Sequence, residues 1–366
     1  MTNTRQLPTA WRWPILLIGG ACLLVGLNWA LNLVAAWAPV VSDAPAARHG
    51  QIMVMGFIGT LICLERVVAL RSRALIIAPL ALAAGGLALL ASNPLVGQLL
   101  QIVGMAGLVV VYLRLVRRGL SIALAIQLLG AVGGLAAVVL WAVGAQTWAV
   151  APWLAAFLVL TIVGERVELA RISLSQGAER GAYVLSAALL VAAMGTLAGV
   201  PAEVVALVLL ALAGWLAIFD VSRRTITGAG LPRFAAANML AATAWLAIGS
   251  MAWLLGGSLA ASRVYDTVIH SITLGFTISM IIAHAPIILP AVLKRPLPYR
   301  PLAWAATITL NVGLAVRIVA DIRGAGQAWQ LGGIITVVAV LTFVATSVAT
   351  SLRASTARPT VEGSTP

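Results

Sequence analysis

Apolar runs of about twenty residues follow one another along this chain, separated by short arginine-bearing connections, and they leave it one kind of solvent. A helix crossing the hydrocarbon layer needs about 20 apolar residues. Twelve such runs lie between charged or Pro/Gly breaks: residues 14–36, 49–70, 74–90, 95–115, 120–143, 150–170, 181–198, 202–221, 234–255, 264–293, 302–322 and 329–351. Of 366 residues, 62% are hydrophobic and 9% charged, whereas a soluble domain carries about 25% charged residues. A soluble core could not hide so much apolar surface. The expected fold is all-α, a polytopic membrane bundle of about 12 transmembrane helices forming a single transmembrane domain over residues 1–352. The Ser/Thr/Pro-rich stretch 353–366 reads as a disordered tail. The first run lacks a short h-region with an A-x-A-like exit, so no cleavable signal peptide is expected.

The basic residues test the count. With the N-terminus in the cytoplasm, alternate connections should be basic. The cytoplasmic set is then Arg5, Arg12, Arg66, Arg71, Arg73, Arg114, Arg117, Arg118, Arg166, Arg171, Arg180, Arg223, Arg224, Arg233, Lys294, Arg295, Arg300, Arg353 and Arg358, which is 19 of the 23. Arg48, Arg263, Arg317 and Arg323 fall on the other side. The asymmetry implies an even number of spans with both termini cytoplasmic, and it explains the net charge of +13 without a nucleic-acid partner. Twenty-two arginines against one lysine suit GC-rich coding, so a bacterial cytoplasmic (inner) membrane is the expected location.

Ionisable groups inside spans are functional candidates, because hydrocarbon penalises them. There are three histidines. His49 opens the second run and His270 lies early in the tenth, and both runs point from the outside inward. Their rings therefore sit at similar depth, where two neutral imidazoles can ligate one haem iron from its two faces. The alternative is a pair of interfacial polar side chains. His284 follows His270 by 14 residues, a rise of about 21 Å that returns to within about 40° of the same helix face. Fourteen residues after His49 stands Cys63. His284 and Cys63 thus form a candidate inner metal site, for copper or a second haem, since thiolate and imidazole suit copper. Otherwise Cys63 is a small buried apolar residue, and His284 bonds a carbonyl freed by Pro286.

Two stretches carry a resemblance. His49-Gly50-Gln51-Ile52-Met53 is similar to the start of helix two in haem–copper oxidase subunit I, where a His-Gly-x-Ile-Met stretch holds a low-spin haem ligand. His270-Ser271-Ile272-Thr273-Leu274-Gly275, with Met280, resembles the His-x-x-Thr-x-Gly-x(4)-Met pattern of NnrS-type haem membrane proteins of the same superfamily. The resemblance implies a divergent relative with twelve helices, ligands on the second and tenth, and pseudo-threefold repeats of four helices. Glu65-Arg66-Val67 with Arg71, and Glu165-Arg166-Val167 with Arg171, end spans four apart and fit such a repeat. Haem propionates need cations, and the candidates are Arg48, Arg263, Arg317 and Arg323, with interfacial anchoring as the rival role. Gly50 and Gly275 are candidates for close approach to the macrocycle, with ordinary helix packing as the rival. The sixth and seventh runs contain no histidine, so a copper centre for oxygen reduction is not implied. Val292-Leu293-Lys294-Arg295 stands where NnrS-type chains carry Gly-His-Thr-Gly.

The leading expectation is a haem b protein in lipid with a redox or nitric-oxide-related role. Its electron donor, such as a quinol or a cytochrome, is not encoded in these patterns. Whether it is an enzyme stays open, because two histidine ligands leave iron no vacant position. A secondary transporter is the competing class. Twelve helices suit it, as do the breaks at Pro286 and Pro290, but mid-membrane charge is scarce.

Overall fold

In lipid the backbone must satisfy its own hydrogen bonds, and an apolar run of spanning length does so as a helix. The computed structural model describes residues 9–40, 48–91, 93–171, 173–260 and 262–356. All regular structure among them is helical, in 13 helices, of which 10 are long and apolar enough to cross a membrane. The ten are α1 (Ala10–Leu33), α2 (His49–Leu70), α4 (Leu95–Arg118), α5 (Ile122–Ala142), α6 (Thr147–Leu169), α7 (Gln176–Leu197), α9 (Gly230–Gly256), α10 (Arg263–Pro290), α11 (Ala303–Arg323) and α12 (Gly326–Ala354). Two shorter apolar helices, α3 (Ala74–Ala88) and α8 (Glu203–Phe219), stand where the third and eighth spans were expected. The last helix extends to Thr356, past the expected start of the tail at residue 353. The rest of that tail and Arg5 lie outside the described residues.

Local chemistry sets several ends. Ser121 and Ser175 cap α5 and α7, their hydroxyls accepting from the amides of Leu124 and Ala178 at 3.2 Å each. Gly324 ends α11 in the left-handed region at φ +67°, which glycine adopts without steric cost. The turn brings α12 back along α11. Sequential helices pack side by side, and α1 also meets α10 and α12. Large apolar side chains such as Leu17, Val184, Val191 and Leu255 point outward, as lipid contact requires.

One helix is enclosed. The central window of α6 is 83% buried, and residues from Val150 to Val163 form an unbroken buried run. An apolar helix without a polar stripe belongs inside a bundle. α5, α7 and the middle of α10 pack against it. Its end nevertheless carries Glu165, Arg166 and Glu168.

Two helices change pitch. Ile52–Gly59 of α2 and Ser271–Ile278 of α10 are π-helical, with bonds to the fifth residue back. His49 lies three residues before the first stretch, and His270 immediately precedes the second.

α1, α2 and α3 meet at a point without room for side chains. A Cβ on Gly86 would lie 2.8 Å from the Cα of Gly56 and 2.7 Å from Cys22 Sγ. Backbone cannot give way there. Gly86→Val is expected to destabilise the protein by about 1–3 kcal/mol through overpacking, read as a lower melting temperature in detergent, whereas Gly20→Val, at an open position, leaves it unchanged.

Candidate functional site

The strand-free, lipid-facing exterior leaves the chemistry to the interior. At the end of the bundle away from most arginines, α2 and α10 begin, α1 and α11 finish, and α12 starts. Between them lies a cavity of about 430 Å³, within the range of about 300–1,000 Å³ typical of small-molecule and cofactor sites. His49 and His270 both line it. Its walls are mostly apolar, with Leu27, Met53, Ile58, Leu154, Ile269 and Val337 among them, and its polar groups gather near the histidines: Tyr265, Asp266, Arg317 and Trp329. Gly50 also lines it, and a Cβ there would meet no protein atom within 4 Å, so the missing side chain leaves open space.

Asp266 organises this end. It precedes His270 by one helical turn. Nδ1 of His270 lies 2.8 Å from the Asp266 carbonyl oxygen and 3.2 Å from Oδ1 of its carboxylate. Both neighbours are acceptors, so Nδ1 carries the hydrogen and Nε2 of the neutral ring keeps its lone pair. Arg317 grips the same carboxylate with two bonds, Nε to Oδ2 at 3.0 Å and Nη2 to Oδ1 at 2.6 Å. Trp329 donates to Oδ2 at 3.1 Å, and the Arg317 guanidinium sits 4.6 Å from the Trp329 ring centre. A carboxylate behind an imidazole fixes the tautomer and aim of a ligand nitrogen. Gly332 and Gly333 let α12 come this close, since a Cβ on Gly332 would lie 2.5 Å from the Arg317 amide nitrogen.

The arginines divide. Arg317 reaches the cavity, but its fork is spent on Asp266 and not held out for a propionate. Arg48 donates through Nη1 to the carbonyls of Leu89 and Ala91, at 3.0 and 2.8 Å, so it closes the end of α3 instead of facing the cavity. Arg263 lies near the α11–α12 turn, with its Nη2 3.7 Å from where a Gly324 Cβ would be. Arg323 is exposed in the last turn of α11. Neither lines the cavity. Gly275 serves packing: a Cβ there would come within 2.5 Å of Trp245.

The expected inner pair is not assembled as a metal site. His284 is buried, with Nδ1 2.7 Å from the Met280 carbonyl and Nε2 3.0 Å from Nη1 of Arg166. Nδ1 therefore donates and Nε2 accepts from a cation, which occupies the lone pair a metal would need. Cys63 is fully buried in the apolar core beside Tyr112. Among the described residues no group of three or more His, Cys, Asp or Glu could hold a metal ion. A π stretch follows each of His49 and His270, so the α-helical rotation assumed for the fourteen-residue spacing does not apply in either helix.

Asp266 was missed in the sequence, although its place four residues before His270 is the helical spacing at which side chains meet. Also missed was the inner network. Arg166 binds Asp220 through Nε at 2.6 Å and Nη2 at 3.1 Å. Burial alone would raise the Asp220 carboxyl, but the Arg166 guanidinium and the Ser222 amide hold it below the usual carboxylate range. Both side chains are under 5% exposed. Asp220→Ala would strand the Arg166 charge, and a loss of about 3–5 kcal/mol is expected, visible as a large drop in thermal stability with the histidine-lined cavity unchanged.

No curated protein and no solved structure matches the chain. Residues 12–352 match a family described as Domain of unknown function (DUF8744), so this helical, multi-span membrane protein belongs to that family.

Proposed function

We propose that the chain binds haem b in the cavity between α2 and α10, with His49 and His270 as the iron ligands, and acts as a redox protein. The observation that carries this is the meeting of two of the chain's three histidines in one apolar cavity. The donor set fits the group: His270 presents Nε2 because Asp266 claims the other nitrogen, and haem brings its own equatorial nitrogens, so no larger cluster of protein ligands is needed. Bound haem would supply one-electron redox chemistry.

The protein's own groups have separable tasks. Asp266 holds the His270 ring and favours its N–H on Nδ1. Arg317 and Trp329 hold Asp266 and compensate its charge. The apolar wall from α1, α6 and α12 keeps water from the ring faces. With two imidazoles on iron, electron transfer or redox sensing is the role, and a nitric-oxide-related one follows only where a ligand leaves. In this reading α3 and α8 complete twelve spans, both termini face the cytoplasm of a bacterial inner membrane, and the bundle is a distant relative of haem–copper oxidase subunit I and NnrS-type proteins.

Reduced-minus-oxidised spectra of protein purified from haem-replete cells test it. The expected result is a sharp low-spin b-type signal, absent in His49→Ala and in His270→Ala. Asp266→Asn should weaken haem retention by about 10–100-fold while His284→Ala leaves the spectrum intact. A folded, colourless wild-type protein would overturn the proposal and favour a transporter.

A further inference from the structure

At the arginine-rich end of the bundle, one guanidinium faces three carboxylates. Arg66 of α2 lies 3.2 Å from Glu65, 3.2 Å from Glu165 and 3.1 Å from Glu168. We propose that this cluster is a proton-binding site, in which the carboxyls of Glu65, Glu165 and Glu168 hold at least one proton at neutral pH and exchange it with water at that face.

The charge count requires a neutralising ligand. Three carboxylates against Arg66 leave two negative charges uncompensated. The other groups do not close the gap. Arg166 on α6 also acts on Glu165 through space, but its charge is matched by Asp220, to which it is bonded twice. His284 of α10 accepts from that same arginine. Tyr112 of α4 and Cys63 of α2 are neutral neighbours, and α5 contributes the uncharged Gln127. Arg12 of α1 donates to the Val292 carbonyl. Carboxylates crowded into a poorly solvated site do not all ionise.

Unsatisfied polar atoms point to the same ligand. Gln127 and Tyr112 are fully buried. Gln127 gives its Nε2 to Glu168 at 3.1 Å, yet its Oε1 has no hydrogen-bond donor, and Tyr112 Oη has no partner. Tyr112 is an electrostatic neighbour of Arg66, Glu165 and Glu65. An ionised carboxylate offers only acceptors, whereas a protonated one both donates and accepts. A metal cation could also satisfy the amide oxygen by coordination, but among the described residues no group of three or more His, Cys, Asp or Glu could hold one. Access is graded: the side chains of Glu168, Glu65 and Glu165 are 47%, 25% and 14% exposed. Water therefore meets Glu168 first, and a proton taken up there passes inward to a neighbouring carboxylate oxygen, raising the cluster's charge by one.

The test is infrared spectroscopy of the full chain in lipid nanodiscs, titrated from mildly acidic to alkaline pH in H2O and D2O. The wild type should show the C=O band of a protonated carboxylic acid at neutral pH, downshifted in D2O and lost on alkalinisation. Glu165→Gln should remove it, while Glu179→Gln in α7 and Tyr112→Phe, which alters no carboxylate, should keep it. Should Glu165→Gln fail to fold, Glu65→Gln is read in its place. The proposal fails if the folded wild type shows no such band at neutral pH, if the band survives unchanged in all three cluster Glu→Gln variants, or if it appears only after sodium and potassium are removed, which would identify a metal cation as the ligand.

Discussion

A helix walled in by protein cannot turn a charge toward water, and α6 carries Glu165 and Arg166 where it is still enclosed. Most of the inner architecture follows from that constraint. The side chains of Glu165 and Arg166 are 14% and 4% exposed, so they must find partners on other elements. Glu165 takes Arg66 from α2, and Arg166 takes Asp220 beyond α8 and the His284 ring of α10. Buried pairs of this kind are not reliable sources of net stability, but a pair that loses one member is costly. The contacts tie together helices that no short loop connects.

The opposite end follows the same logic with fewer charges. There the carboxylate of Asp266 is balanced by Arg317 and further held by Trp329, and Asp321 beside it accepts from the Thr267 hydroxyl. What remains beside Asp266 is an imidazole nitrogen aimed at an apolar space. The two ends differ in what they leave over: the cavity end offers an imidazole lone pair beside a paired carboxylate, whereas at the arginine-rich end the Arg66 cluster holds more acid than base.

Much of this was legible in the sequence because hydropathy over a spanning length is a strong signal. The limits read for the second span, 49–70, coincide with α2. α3 and α8 are shorter than their apolar runs because the chain leaves the helix before the run ends. The convergence of His49 and His270 on one cavity was readable from alternation of direction, which needs only a correct span count. The site behind His284 was not, since it rested on uniform helical phase and the π stretches of α2 and α10 leave no hydropathy trace. The matching Glu65-Arg66 and Glu165-Arg166 pairs were visible as a repeat, yet nothing in a linear pattern says that the arginine of one reaches the glutamate of the other. Asp266 stood in plain helical register with His270, but its role needed Arg317 from a different helix, a pairing that only the folded chain reveals.

The π-helical stretches in α2 and α10 divide each helix into two α-helical rods whose faces are out of the phase that one uniform helix would impose. In a uniform helix the azimuth of one end dictates that of the other, so the demands of the two membrane faces would have to be compatible. Here each end can be set by its own neighbours: the first rod of α10 by Arg317 and Trp329, which hold its Asp266, and the second by Arg166, which holds its His284. The direction of His284 relative to His270 is therefore set by the π stretch between them and not by the number of residues alone.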